Sequence, residues 1–288
     1  MDPAPLAAPA TPQRLRALRD AGVLSQAAHA RALALAAEPP PRDAQAAFGA
    51  RAALVLGGLL SLASVVFFVA HNWDGMSRWA RFGVLELGLV ASAAAAFRAK
   101  GQLTRQLALT MCAGLLGPLL AVYGQTYQTG ADPYELFLTW ALLAAPIAAL
   151  ARFVPLWLGV WALLDVSLVL GCDQLRPLGH DSEYYAGVVL AGLNLAGLVA
   201  YEAVSRRSEW LGANATWPRR VLAAAAVLPA LPLACWWAAD GLWIRPGIWG
   251  PIAAATVAAI CAGLAVVYRH DRFVRTVAAF AVCGLATS

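Results

Sequence analysis

The chain has 288 residues, 61% of them hydrophobic and only 13% charged, with 21 Lys and Arg against 16 Asp and Glu for a net charge of +5. The basic residues are scattered over several short joints, with no stripe and no recognised module, which argues against a nucleic-acid-binding surface. Five cysteines, Cys112, Cys172, Cys235, Cys261 and Cys283, are spread out without a C-x-x-C pair, which argues against a thiolate metal site and an extracytoplasmic disulfide.

Residues 1–11 are Ala- and Pro-rich and are expected to be disordered. They lack the basic n-region and apolar h-region of a signal peptide. Residues 12–37 read as a helical hairpin: a first helix over Pro12–Ala21 with Leu15 and Leu18 on one face, Gly22 as its C-cap, and Ser25 as the N-cap of a second helix through Ala37. Leu33 and either Val23 or Leu24 can meet the first helix. The pair is too small for a core of its own. Residues 38–51, with Pro39, Pro40 and Pro41, read as a stiff linker.

Residues 52–288 then form the transmembrane domain. A bilayer core of roughly 30 Å needs about 20 apolar helical residues. About nine stretches qualify: Ala52–Ala70, Trp79–Phe97, Leu103–Tyr123, Glu135–Phe153, Leu156–Gly171, Tyr184–Val204, Val221–Ala239, Gly247–Tyr268 and Phe273–Ser288, the fifth and ninth being short. The predicted fold is an all-α polytopic helix bundle. Pro118, Pro146 and the Pro229/Pro232 pair are expected to kink or break their helices.

The charges orient this bundle. With the N-terminus in the cytoplasm, only Arg78, Arg81, Arg176 and Arg245 of the 21 basic residues fall outside. Cytoplasmic joints retain Lys and Arg, so the alternation predicts a multi-pass inner-membrane protein with its N-terminus inside. The high isoelectric point follows from loop arginines.

Polar residues collect in the outer half. His71, Asn72, Trp73 and Asp74 close the first span, and Gly124 to Glu135 close the third and open the fourth. Glu86 lies about two turns into the second span and Asp165 about midway along the fifth. One reading is an outward pocket lined by Asp74, Glu86, Gln125, Gln128, Asp132, Glu135 and Asp165, with Trp73, Tyr127 and Tyr134 as aromatic walls. Carboxylates, amides and rings in that arrangement suit a small cationic or hydroxyl-rich ligand or a lipid headgroup. The other reading is structural: interfacial aromatics, and a tight re-entrant turn set by Gly124, Gly130 and Pro133. Asn194, within Gly187-x-x-x-Ala191-Gly192-x-x-x-Ala196-Gly197, reads as one polar contact in a small-residue helix interface. His71 with Asp74, and His180 with Asp181 and Glu183, lack a helical i, i+4 histidine pair, so no metal site is expected. No hydrolase, metalloprotease, nucleotide or dinucleotide motif occurs, so neither catalytic residues nor a cofactor are expected.

Three stretches taken together carry a family likeness: Arg14-Leu15-x-x-Leu18-x-x-x-Gly22-Val23-Leu24-Ser25, Phe67-Phe68-Val69-Ala70-His71-Asn72-Trp73-Asp74, and Tyr123 to Asp132 continuing into Glu135-Leu136-Phe137 and Trp140. They resemble the bacterial predicted membrane proteins of the domain-of-unknown-function-2157 family, over about residues 14–145. The resemblance implies a polytopic inner-membrane protein with a small cytoplasmic N-terminal segment and brings no catalytic residue with it. Two functions remain open: binding or moving a small ligand through the outer pocket, or acting as a scaffold that contacts other envelope membrane proteins.

Overall fold

The computed structural model describes residues 11–37, 42–175, 182–208, 216–236, 238, 249–269 and 271–287. The chain divides into two compact units, Met1–Leu56 and Gly57–Ser288.

The first unit holds α1 (Pro12–Asp20) and α2 (Gln26–Ala37), packed on each other. Thr11 starts α1 by accepting a hydrogen bond from the Arg14 amide at 3.3 Å, with Pro12 in the first turn. Gly22, at φ 73, ends it. The Val23 amide returns to the Leu18 carbonyl and the Gly22 amide to that of Arg19, the two bonds of a left-handed cap. Ser25 Oγ accepts from the Ala28 amide at 3.2 Å and so caps α2. Leu15 is buried with His29, while Leu24 and Leu33 are half-buried. Val23 is 68% exposed, so Leu24 supplies the contact that either residue could have made.

The stiff linker expected over 38–51 is shorter than that. Helix α3 begins at Arg42 and runs to His71. After Pro41 the sequence holds Asp43 in the first turn and an Ala-rich stretch, good helix-forming material, so Arg42–Arg51 join the apolar helix that follows. Residues 38–41, and residues 1–10 of the expected disordered segment, lie outside the described residues.

The second unit continues α3 and adds α4 (Arg78–Arg98), α5 (Gln102–Tyr127), α6 (Pro133–Ala151), α7 (Val154–Leu175), α8 (Ser182–Ser205), α9 (Trp217–Val227), α10 (Leu231–Trp236), α11 (Trp249–Val267) and α12 (Arg272–Thr287). No strand occurs among the described residues. Among the described residues, seven stretches are long and apolar enough to cross a membrane: Gln45–His71, Arg78–Arg98, Gln102–Tyr127, Pro133–Ala151, Val154–Cys172, Tyr185–Ser205 and Trp217–Trp236. Apolar side chains such as Phe67, Leu87, Phe97 and Phe280 point outward, as lipid-facing positions do. The remaining two expected crossings correspond to α11 and α12. The latter has only 16 residues, opens with Arg272 and Arg275, and at 1.5 Å per residue is about 24 Å long.

Small residues set the helix spacing. A Cβ on Gly114 would lie 2.6 Å from Leu62 of α3, and one on Gly117 would collide with the Trp140 indole of α6. Gly197 receives the Trp161 indole of α7, and Gly187 receives Leu233 of α10. These are close approaches of the kind small residues permit in membranes. Pro118 and Pro146 do not break their helices: α5 and α6 run unbroken through them. Trp140 Nε1 donates to the Ala113 carbonyl at 2.7 Å, five residues before Pro118, and so ties α6 to the backbone of α5 near the proline. The chain does break at Leu228–Ala230, between α9 and α10, with Pro229 inside the turn and Pro232 in the first turn of α10.

Successive helices pack as antiparallel neighbours. Trp161 meets Gly197 and Asp165 meets Asn194, so α7 and α8 run in opposite directions. Glu202 meets Arg219 while Gly187 meets Leu233, so α8 and the α9–α10 pair also oppose.

Candidate functional site

The two polar motifs that stand out in the sequence cap neighbouring helices at one end of the second unit. At the end of α3, Asn72 Nδ2 donates to the Phe68 carbonyl at 2.9 Å, and the Asn72 carbonyl accepts from the Gly75 and Met76 amides. Ser77 then caps α4, its Oγ accepting from the Ala80 amide. Arg81, one turn into α4, reaches back to this turn. Its guanidinium stacks 3.8 Å from the centre of the Trp73 ring and donates to the Trp73 carbonyl. Arg78 likewise lies over Trp79 at 5.1 Å. His71 and Asp74 are exposed beside them.

The second motif is not a re-entrant turn. Helix α5 continues through Gly124 and Gln125 to Tyr127 and ends at Gln128, in the left-handed region at φ 47. The Gly124 carbonyl accepts the Gln128 amide and the Thr129 amide, so Gly124 is the anchor of the cap. Gly130, at φ 67, turns the chain, and Pro133 opens α6. Asp132 holds the N-cap position, but its side chain makes no cap bond. Its Oδ1 accepts instead from Gln174 Nε2, near the end of α7, at 2.9 Å. Glu135 lies in the first turn of α6, where a negative charge is favoured by the helix dipole, and Tyr134 Oη approaches it at 3.5 Å.

The two motifs meet through aromatic rings. Phe82 lies 6.3 Å from Tyr127, which lies 4.9 Å from Tyr123. Trp73 and Phe82 pack against the same buried group as Val122 and Leu115. In the same last turn of α5 the Thr126 hydroxyl is buried, with no hydrogen-bond partner among the described residues. Tyr123 and Tyr127 are each about half exposed.

The residues expected to line a pocket therefore form an open ledge. Asp74, Gln125, Gln128, Asp132 and Glu135 are all exposed on it. Glu86 is exposed on α4, about 12 Å along the helix from Arg78. Asp165 is not part of the ledge. It is nine residues from Gln174 along α7, about 14 Å, and accepts from Asn194 Nδ2 of α8 at 2.9 Å. It is the cross-helix partner that Asn194 called for. His180 and Asp181 lie outside the described residues, and nothing is described of the Glu183 side chain.

Several contributing residues carry no motif. Arg81 enters the sequence reading only as an outer charge, and Gln174 and Phe82 have no distinguishing signal beyond their place near a span end. The opposite end holds a further network. Glu202 of α8 pairs with Arg219 at 3.4 Å and accepts from Tyr268 Oη at 3.0 Å, while Arg220 Nε meets Asp271 Oδ2 at 3.1 Å. These contacts tie the ends of α8, α9, α11 and α12 together.

Asp271 lies between α11 and α12. Burial pushes its carboxyl upward, but the Arg220 guanidinium and the Phe273 and Val274 amides outweigh this and hold it below its ordinary 3.8. A lowered carboxyl stabilises the fold fully above the ordinary carboxylate range and loses that contribution as pH falls through its own lower value. The unfolding midpoint in detergent is expected to fall as pH drops below about 4, and Asp271→Asn is expected to flatten that part of the curve. Superimposable pH profiles would show that this pair contributes nothing.

The fold and the ledge define a class: a multi-pass α-helical membrane protein with polar caps on the ends of its helices. Residues 16–157 match the family model described as "Predicted membrane protein (DUF2157)", about half of the chain and including both cap motifs. No curated protein and no solved structure matches the chain.

Proposed function

We propose that this is a nine-span bacterial inner-membrane protein, N-terminus inside, whose outer ledge binds the cationic headgroup of a lipid or a small cationic or hydroxyl-rich ligand. The orientation draws support from where the ion pairs lie. Arg206, Arg207, Arg219, Arg220, Arg269, Arg272 and Arg275 stand at the end where Glu202 meets Tyr268. In that arrangement α11 runs opposite to α9 and α12 returns, which is the path of an eighth and a ninth crossing. Arg78 and Arg81, the outer basic residues among those described, lie over indoles.

The observation that carries the ligand reading is the aromatic step of Phe82, Tyr127 and Tyr123 at the end of α5, from which the chain leads directly into exposed carboxylates at Asp132 and Glu135. Half-exposed rings and carboxylates together attract an ammonium group by cation–π and charge pairing. The orphan Thr126 hydroxyl in the last turn of α5 calls for a further partner. Nothing in this arrangement supplies a nucleophile with its base, so the function is read as binding, without catalysis.

Native mass spectrometry of the detergent-purified protein with added phosphatidylethanolamine tests this. Combining Gln125→Ala, Asp132→Asn and Glu135→Gln is expected to weaken retention of that lipid at least tenfold while leaving the unfolding midpoint nearly unchanged, since an asparagine in place of Asp132 still offers an acceptor to Gln174. Equal retention by the variant would overturn the ligand reading.

The scaffold reading rests on one observation. The N-terminal hairpin lies within the separate compact unit Met1–Leu56 and leaves Val23 and Leu35 exposed. Deleting residues 1–41 would abolish complex formation under that reading and leave lipid retention intact under the first.

A further inference from the structure

At the far end of α5 from Tyr127, a cavity of about 450 Å³ opens between the start of α5 and the end of α6. That volume falls within the roughly 300–1,000 Å³ of small-molecule sites. Gln102, Arg105 and Gln106 form one wall, and Ala151 and Arg152 the other. No carboxylate among the described residues lines it, and both arginines are exposed at its rim.

Three features keep this space electropositive. Gly101 caps α5 without a side chain, so the first-turn amides of a 26-residue helix have no side-chain acceptor at the cap. The negative end of α6, which would oppose them, is already occupied. Gln106, only 9% exposed, donates its amide to the carbonyls of Ala151 at 3.4 Å and Arg152 at 3.3 Å. Arg152 itself is held in the left-handed region at φ 48, its amide closing α6 on the Ala148 carbonyl. That conformation is uncommon outside glycine, and here it places Arg152 on the same cavity as Arg105.

We propose that this cavity is a binding site for a phosphate-bearing anion, with Arg105 and Arg152 as its charged ligands. Guanidinium groups suit phosphate oxygens because they donate in a planar fork. A basic pocket between transmembrane helices is also where an anionic phospholipid headgroup lodges. Free phosphate carries the same chemistry. The site is independent of the outer ledge.

The experiment has two arms, both on the full-length protein in detergent. The first measures retention of phosphatidylglycerol by native mass spectrometry. The second measures the unfolding midpoint in inorganic phosphate against chloride at matched ionic strength. Arg105→Gln with Arg152→Gln is expected to weaken phosphatidylglycerol retention at least tenfold. Arg105→Lys with Arg152→Lys is expected to keep most of it, and Arg275→Gln, a basic residue outside this cavity, to keep all of it. A phosphate-dependent rise in midpoint that only the wild type shows, without a lipid difference, would support the site with a soluble anion as its ligand. Wild-type behaviour of the double Gln variant in both arms would overturn it. Should that variant fail to fold, Arg105→Gln alone decides, because its side chain is exposed and its loss must still weaken binding several-fold.

Discussion

Replacing Asn194 with leucine is expected to destabilise the protein by about 1–3 kcal/mol, the cost of leaving a buried polar partner unsatisfied. Asn194 is 1% exposed, and its amide donates to the Asp165 carboxylate at 2.9 Å and to the Leu190 carbonyl at 3.0 Å. Leucine fits the site in size but strands Asp165 within α7. Removing both polar groups together, as Asp165→Leu with Asn194→Leu, is expected to recover most of the loss, since an apolar pair has nothing left to satisfy. Unfolding of the single and double variants in one detergent measures this directly. A single variant as stable as the wild type would show that the pair contributes nothing to packing.

Gly117→Ala is the second large effect. Its methyl would occupy the space of the Trp140 indole, which is itself fixed by its hydrogen bond to the Ala113 carbonyl. The ring is rigid and has little room to yield, so overpacking is expected to cost about 1–3 kcal/mol. Gly192 provides the internal control. It too lies within a helix, but nothing stands within 4 Å of its would-be Cβ. Gly192→Ala is therefore expected to be neutral or to stabilise by up to about 1 kcal/mol. Trp140→Leu should largely relieve the Gly117→Ala penalty. Equal effects of alanine at positions 117 and 192 would contradict the packing described for α5 and α6.

What was legible in the sequence follows from what each signal physically reports. Apolar runs of helix-spanning length report lipid exposure directly, which is why the core stretches from α3 to α8 stand close to where they were expected. Boundaries were less legible. Gly124 and Gln125 look like turn residues, yet Gly124 serves as a helical anchor whose carbonyl takes two amides. Pro118 looks like a breaker, yet α5 runs on through it, and the nearby Ala113 carbonyl is held by the Trp140 indole of α6, a contact spanning 27 residues that no local pattern reveals. The pairing of Asp165 with Asn194 spans 29 residues, and that of Arg220 with Asp271 spans 51. Asp165 and Asn194 were visible as polar groups within spans, but their partnership, like that of the loop residues Arg220 and Asp271, depended on the register of the helices. The grouping of Asp165 with the ledge failed for the same reason: lying on the outer half of a span says nothing about which neighbour a side chain faces.

The central claim is that the ledge lies outside and the arginine-rich ends lie inside. Labelling of single cysteines with a membrane-impermeant thiol reagent tests it, at Thr129→Cys and Ser208→Cys, in a background with Cys112, Cys172, Cys235, Cys261 and Cys283 replaced. Thr129 lies between Gln128 and Gly130 on the ledge, and Ser208 follows Arg206 and Arg207 beyond the end of α8. In intact cells opened only at the outer membrane, position 129 is expected to label and position 208 to label only after lysis. Labelling at 208 without labelling at 129 would invert the protein in the membrane and remove the ledge from the side on which it is proposed to act.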